Sequence, residues 1–221
     1  MKTTLSTPRL ADYVAAQINH FFPDNLPTEA RTLAKMVPEA LKRLRPSIEM
    51  NSNRYFRRND SPHFDHLYAD QYAMFLYMLS RVCFETASKP FLLIATKLYL
   101  LNKALHSIDT YFEIELPEIF YFAHPVGTVL GRAKYKNYFV VMQNCTVGNI
   151  DGDYPEFGEK VVLSSHSAVL GASRLGEGAC VGAGTLLIHA KIPAFRTVVG
   201  RGKEIVIGKE RSEKWRNYFR D

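Results

Sequence analysis

Apolar residues recur at a six-residue interval through the second half of this chain, at Phe157, Leu163, Val169, Leu175, Val181 and Leu187. An earlier block, Val129, Tyr135, Val141 and Val147, keeps the same interval. A helical period of 3.6 loses register after two steps, and a period of 2 would make the intervening even positions apolar as well. A six-residue period suits a chain wound as a triangular prism, with one hexapeptide per flat face and three per coil: a parallel β-helix. Four positions beyond the anchors the residue is mostly small (Ser167, Ser173, Ala179, Thr185, and Cys145 in the first block), as a narrow interior requires. Gly158, Gly176 and Gly182 directly follow anchors, where a tight corner asks for a permissive backbone.

With 221 residues, 47% of them apolar, the chain can bury a full core as one or two units. Its three cysteines, Cys83, Cys145 and Cys180, form no C-x-x-C pair, and their odd number suits neither a disulfide framework nor a zinc site. Cys145 and Cys180 fall inside the repeat as small core fillers, and a reducing compartment is expected. The N-terminus lacks the apolar core of a signal peptide. The longest apolar run, from Pro90 to Leu101, is interrupted by Lys97 and is too short for a bilayer. A soluble, cytoplasmic protein with no membrane span is the expectation.

The formal net charge is +6, and from Lys191 to Asp221 nine Lys/Arg stand against four Asp/Glu. No interleaved aromatic platform or recognition helix accompanies these cations, so nucleic acid is not an expected partner. A solvated tail and a docking site for a phosphorylated small molecule both fit them.

Residues 1–108 read as an α-helical domain, residues 109–209 as the prism and residues 210–221 as a basic C-terminal tail. Apolar spacing predicts helices from Leu10 to Phe22, Glu29 to Met36, His66 to Thr86 and Pro90 to His106. Pro38 is expected to open a new turn before Leu41. The polar stretch from Asn51 to Asp65 reads as a loop, and Ser88 and Pro90 as N-cap and first-turn proline. The six-residue period is broken once: Val147 and Phe157 lie ten residues apart, so four surplus polar residues near Asp151 and Asp153 should protrude as a loop.

The stretches from His124 to Gly131, Gln143 to Gly148 and Pro193 to Gly200, following a helical half, resemble serine acetyltransferase and its hexapeptide acyltransferase relatives. The resemblance covers roughly residues 107–209. It implies an α+β fold, with the N-terminal α-helical domain followed by a left-handed parallel β-helix, and an acetyl-CoA-dependent O-acetyltransferase. It makes His124 the general base for the acceptor hydroxyl, and Asp109, fifteen residues upstream, the carboxylate that orients the imidazole. The chemistry needs such a base, because an alkyl hydroxyl attacks a thioester poorly until its proton is taken, and imidazole titrates near neutrality. The family lays acetyl-CoA between two prisms, against backbone groups that correspond to about Gly148, Ser165 and Ala183. Lys209, with Arg201 and Lys203, is positioned for the nucleotide phosphates. The family packs three prisms around a threefold axis, so a homotrimer or a dimer of trimers is expected.

The acceptor side departs from the family. Ala123 stands where serine acetyltransferases carry an aspartate, and the protruding loop reads Asp153-Tyr154-Pro155-Glu156 where they place Arg-His. A buried carboxylate without a partner is costly, so a sugar or nucleotide sugar is favoured as acceptor, with serine as the alternative. Asp65, His66 and Asp70 either face the acceptor or lie on an exposed helix face. Two readings of other classes are a metal-dependent hydratase recruiting His124, His166 and His189, and a non-catalytic scaffold. The histidines lack the close pair a metal site shows, so no metal is expected.

Overall fold

The computed structural model describes residues 1–220. Four helices, α1 (Thr7–Phe21), α2 (Ala30–Met50), α3 (Ala69–Phe84) and α4 (Lys89–His106), precede a parallel β-solenoid. α3 and α4 pack as an antiparallel hairpin with α2 against α3. α2 is a single 21-residue helix that runs through Pro38, where the sequence suggested a new turn, and through Pro46. Its stripe of Leu33, Val37, Ala40, Leu44 and Ile48 is fully buried, and that packing outweighs the backbone bonds the prolines remove. Ser88 and Pro90 open α4 as expected, although the Ser88 side chain caps no backbone N–H. Part of the expected 51–65 loop is strand instead. Ser61–Phe64 pairs with Arg57–Arg58 on one side and with Lys2–Thr3, far away in sequence, on the other.

The solenoid has three faces. Face one stacks Phe120–Phe122, Phe139–Val141, Val162–Leu163, Cys180–Val181 and Thr197–Val199; face two stacks Asp109–Thr110, Val129–Leu130, Thr146–Gly148, Ala168–Leu170 and Leu186–Ile188. Face three stacks Glu156–Phe157, Arg174–Leu175 and Lys191–Ile192. All six anchors from Phe157 to Leu187 point inward and are at most 3% exposed. Ser167, Ser173, Ala179, Thr185 and Cys145 are buried behind them. Interior hydroxyls also satisfy backbone: Ser173 Oγ donates to the Leu170 carbonyl (2.7 Å) and accepts from the Ala190 N–H (3.1 Å).

The first block keeps the expected register at Val141 and Val147, which pair with Leu163 and Val169, but its first anchor is displaced by one residue. Leu130, paired with Val147, is the inward anchor, whereas Val129 is 41% exposed. Tyr135 lies against the core and stacks on Phe157, 5.2 Å between ring centroids. The corner glycines also act differently from expectation. Gly158, Gly176 and Gly182 do not have positive φ; the left-handed corners fall on Lys160, Gly178 and Gly184. A side chain at Gly158 or Gly176 would instead strike the backbone of the next coil, 2.6 Å from the Glu177 nitrogen and 2.5 Å from the Ala194 nitrogen.

Residues 210–220 are no free tail. Trp215 is 8% and Phe219 2% exposed. The Ser212 N–H donates to Phe195 O (2.8 Å), Lys160 lies over the Trp215 ring, and Phe219 packs edge-on against Tyr138. The segment then reaches the end of α2, with the Arg220 N–H bonded to Met50 O and the Ser52 N–H to Tyr218 O. This strap, together with α2 and α3, accounts for the burial of the outward residues Tyr121, Val140, Val162 and Cys180 of face one.

At the end of α4, His106 is half-buried, with Nδ1 2.7 Å from Asn102 Oδ1 and its ring against Tyr72. Burial pushes its pKa down from 6.5 to about 4. Below pH 6.5 the unfolded chain takes up a proton that the folded chain refuses, so stability is lost as pH falls toward 4. Between pH 7 and pH 5 this amounts to about 2 kcal/mol. Urea titrations of wild type and His106→Asn should diverge over that window, and parallel curves would remove His106 as the cause.

Candidate active site

His124 follows the first strand of face one, on the edge between faces one and two. Its backbone is left-handed (φ 54°), a conformation that costs an L-residue about 1 kcal/mol or more. That turn presents the side chain outward, 73% exposed. The conformation is held at both ends: the His124 N–H donates to Asp70 Oδ1 (3.2 Å), and the His124 carbonyl accepts from the Val126 N–H (2.8 Å).

Asp70 enters from the first turn of α3 and is 3% exposed. Its Oδ2 accepts from the Tyr121 hydroxyl at 3.0 Å, and its Oδ1 lies 3.9 Å from His124 Nδ1. Asn53 Nδ2 in turn donates to the hydroxyls of Tyr68 (3.2 Å) and Tyr121 (3.4 Å). Burial raises the Asp70 carboxyl above the usual carboxylate range, against the pull of the Tyr121 hydroxyl and the His124 imidazole.

Asp109, which the family resemblance implied as the orienting carboxylate, makes other contacts. Its Oδ1 accepts from the Tyr99 hydroxyl (2.7 Å) and its Oδ2 from Lys103 Nζ (2.6 Å). Burial opposes its ionisation, but the Lys103 ammonium and the Tyr99 hydroxyl outweigh that and hold its carboxyl below the usual value. The structure brings Asp70, not Asp109, within 4 Å of His124. No local pattern pointed to that pairing, because Asp70 lies 54 residues away on a helix.

Backbone bonds continue down the same edge, from the Asn144 N–H to Val126 O, from His166 to Gln143 and from Gly184 to Ser165. Ser165 and Ala183 therefore share the His124 edge, one coil after another. Gly148 falls on the next edge, its carbonyl accepting from the Gly171 N–H (3.0 Å). Lys209 stands beyond the last coil, exposed, its carbonyl taken by the Arg196 guanidinium.

The surplus residues form a hairpin in which Ile150 and Asp153 exchange backbone bonds around Asp151 and Gly152, both with positive φ. A cavity of about 390 Å³ beside it is lined by Arg132, Lys134, Asp153, Tyr154 and Arg174 among others. The three histidines considered for a metal are dispersed. His166 Nε2 lies 3.5 Å from Asn144 Nδ2, and His189, on another edge, accepts from the Ala172 N–H (3.1 Å) and faces Asp153. Among the described residues no helix is long and apolar enough to cross a membrane.

A helical half leading into a parallel β-solenoid with an outward histidine at its first edge has the fold of the solved serine acetyltransferases. The enzyme from Brucella abortus strain S19 superposes with a TM-score of 0.71 at 20% identity, covering 93% of this chain and 84% of that one. Its complex with coenzyme A gives 0.69 at 17% identity, covering 95% and 84%. In sequence, the chain is 28% identical to serine acetyltransferase of Bacillus subtilis (strain 168) over 123 residues, half of this chain and 56% of that protein. The chain thus spans about half the length of the curated relatives it matches. No family model matches it.

Proposed function

We propose that this chain is an O-acetyltransferase that moves the acetyl group of acetyl-CoA to a hydroxyl of a small acceptor. The observation that carries the reading is the outward His124 on the edge whose lower corners present Ser165 and Ala183. A coenzyme A complex of a protein with the same fold supports the donor. His124 takes the acceptor's hydroxyl proton as that oxygen attacks the thioester carbonyl. The carbon–sulfur bond then breaks, and the imidazolium returns the proton to the departing thiolate.

A sugar hydroxyl is the first choice of acceptor, since Ala123 offers no carboxylate to an amino acid's ammonium and the loop residues from Asp153 to Glu156 offer no cation to its carboxylate. Serine is the second reading, favoured by the activity named for the relatives and by Arg132, Lys134 and Arg174 in the cavity beside that hairpin. A thiol-release assay with acetyl-CoA against serine, homoserine, free sugars and nucleotide sugars separates them. Release with sugars alone supports the first, and saturation by serine alone replaces it with the second. No release with any acceptor would sink the transferase reading.

Val129 and Ile188 stand exposed on the outside of face two, and Val126 on the edge beside it. Apolar groups so placed support packing of prism against prism, and with it the homotrimer. Sedimentation at micromolar concentration is expected to show at least a trimer, and a monomer would remove this part of the proposal.

A further inference from the structure

We propose that Asp70, carried by the helical half, is the positioning residue that orients the His124 imidazole and balances its charge, the role that the family resemblance implied for Asp109. The inference rests on the acetyl-transfer reading above.

A carboxylate this buried is costly unless its oxygens are bonded. Tyr121 satisfies Oδ2, and the His124 N–H takes one direction of Oδ1. Oδ1 has a further lone pair, and His124 Nδ1 is 3.9 Å from that oxygen. That distance is too long for a hydrogen bond. The ring is exposed and free to turn, and catalytic hydrogen bonds commonly tighten only when substrate binds. With Nδ1–H aimed at Asp70, Nε2 is the nitrogen left for the acceptor hydroxyl, and the positive charge it gains lies beside a carboxylate. Asp109 already bonds an ammonium, so its charge is spent on Lys103.

The proton count closes without Asp70 itself changing state. Nε2 gains the hydroxyl proton, Nδ1 keeps its own, and Nε2 delivers the gained proton to sulfur. The same Asp70 fixes the backbone of His124, so one carboxylate sets both the turn and the ring. The phenols of Tyr121 and Tyr68 are the other titratable groups around it.

An acidic residue in the first turn of a helix also has a purely structural role, through the helix dipole, so the test needs a readout that such a role would not move. Asp70→Asn preserves shape and can still accept from Tyr121. The ring ¹⁵N shifts of His124 are expected to show less of the Nδ1–H tautomer in this variant than in wild type, because the amide offers Nδ1 no anionic acceptor. kcat is expected to fall about 100-fold with KM for acetyl-CoA unchanged, and Asp70→Glu to recover part of the loss. Asp109→Asn should leave both readouts near wild type. An unmoved tautomer ratio with unchanged kcat in Asp70→Asn, or both effects appearing in Asp109→Asn, would overturn the inference. If wild type itself transfers no acetyl group, the reaction reading fails, and the tautomer ratio still decides whether Asp70 governs His124.

Discussion

Alanine in place of His124 is expected to cut thiol release from acetyl-CoA by about 10²- to 10⁴-fold, the usual worth of a positioned general base. The loss should appear in kcat rather than in KM for acetyl-CoA, since the imidazole acts on the acceptor's proton and does not hold the donor. Folding should be unaffected. The side chain is 73% exposed, its closest polar approach is the 3.9 Å contact with Asp70, and alanine retains the backbone N–H that Asp70 holds. Unchanged melting with activity lost is the expected pair of results. A variant that keeps more than half of wild-type kcat would show that the base lies elsewhere.

A large loss of stability is expected from Gly176→Ala. The added methyl carbon would sit 2.5 Å from the Ala194 nitrogen, 2.8 Å from its Cα and 3.0 Å from the Pro193 carbonyl carbon. All three are backbone atoms, and no rotamer change relieves them. The coils must part locally, which breaks the bond from the Gly176 N–H to Ile192 O (2.9 Å). A cost of about 2 to 3 kcal/mol follows from overpacking of this kind, or a melting point lower by about 5 to 10 °C. Gly184→Ala is the informative comparison. Its Cβ would meet nothing within 4 Å, and only its φ of +71° penalises alanine, by about 1 to 2 kcal/mol. Thermal melts that place Gly184→Ala below Gly176→Ala would contradict the crowding argument.

The prism was legible in the sequence because its interior is narrow. From Leu163 to Val181 each hexapeptide supplies one large anchor and one small partner, and that demand prints a strict period. Where the demand relaxes, the period misleads. Before Val141 the aromatic rings of Tyr135 and Phe139 pack around Phe157, the spacing is looser, and Leu130 rather than Val129 turns inward. The glycines were found for the wrong reason, since close approach of two coils and a left-handed φ leave the same residue in the sequence.

His124 stood out in the sequence as the first residue of a motif, but the carboxylate that the fold sets 3.9 Å from its ring did not. Spacing gives Asp109 a position near the first coil without the direction of its side chain, which Tyr99 and Lys103 decide. Asp70 reaches the site only because α3 packs against the first strand of face one, a contact that no local pattern in the chain encodes. The strands at Ser61–Phe64 were missed for the same reason, their partner being the chain's second and third residues.

The segment from Ser212 to Arg220 has a mechanical meaning beyond covering face one. A stack of coils in which each touches only its neighbours can peel from a free end, one layer at a time. Here the last residues are stitched back to Met50 and Ser52, beside the Asn53 that bonds Tyr121. The stack is thereby turned into a closed hoop. Damage at its far rim is felt at once beside the histidine, and the molecule should come apart as a whole rather than fray.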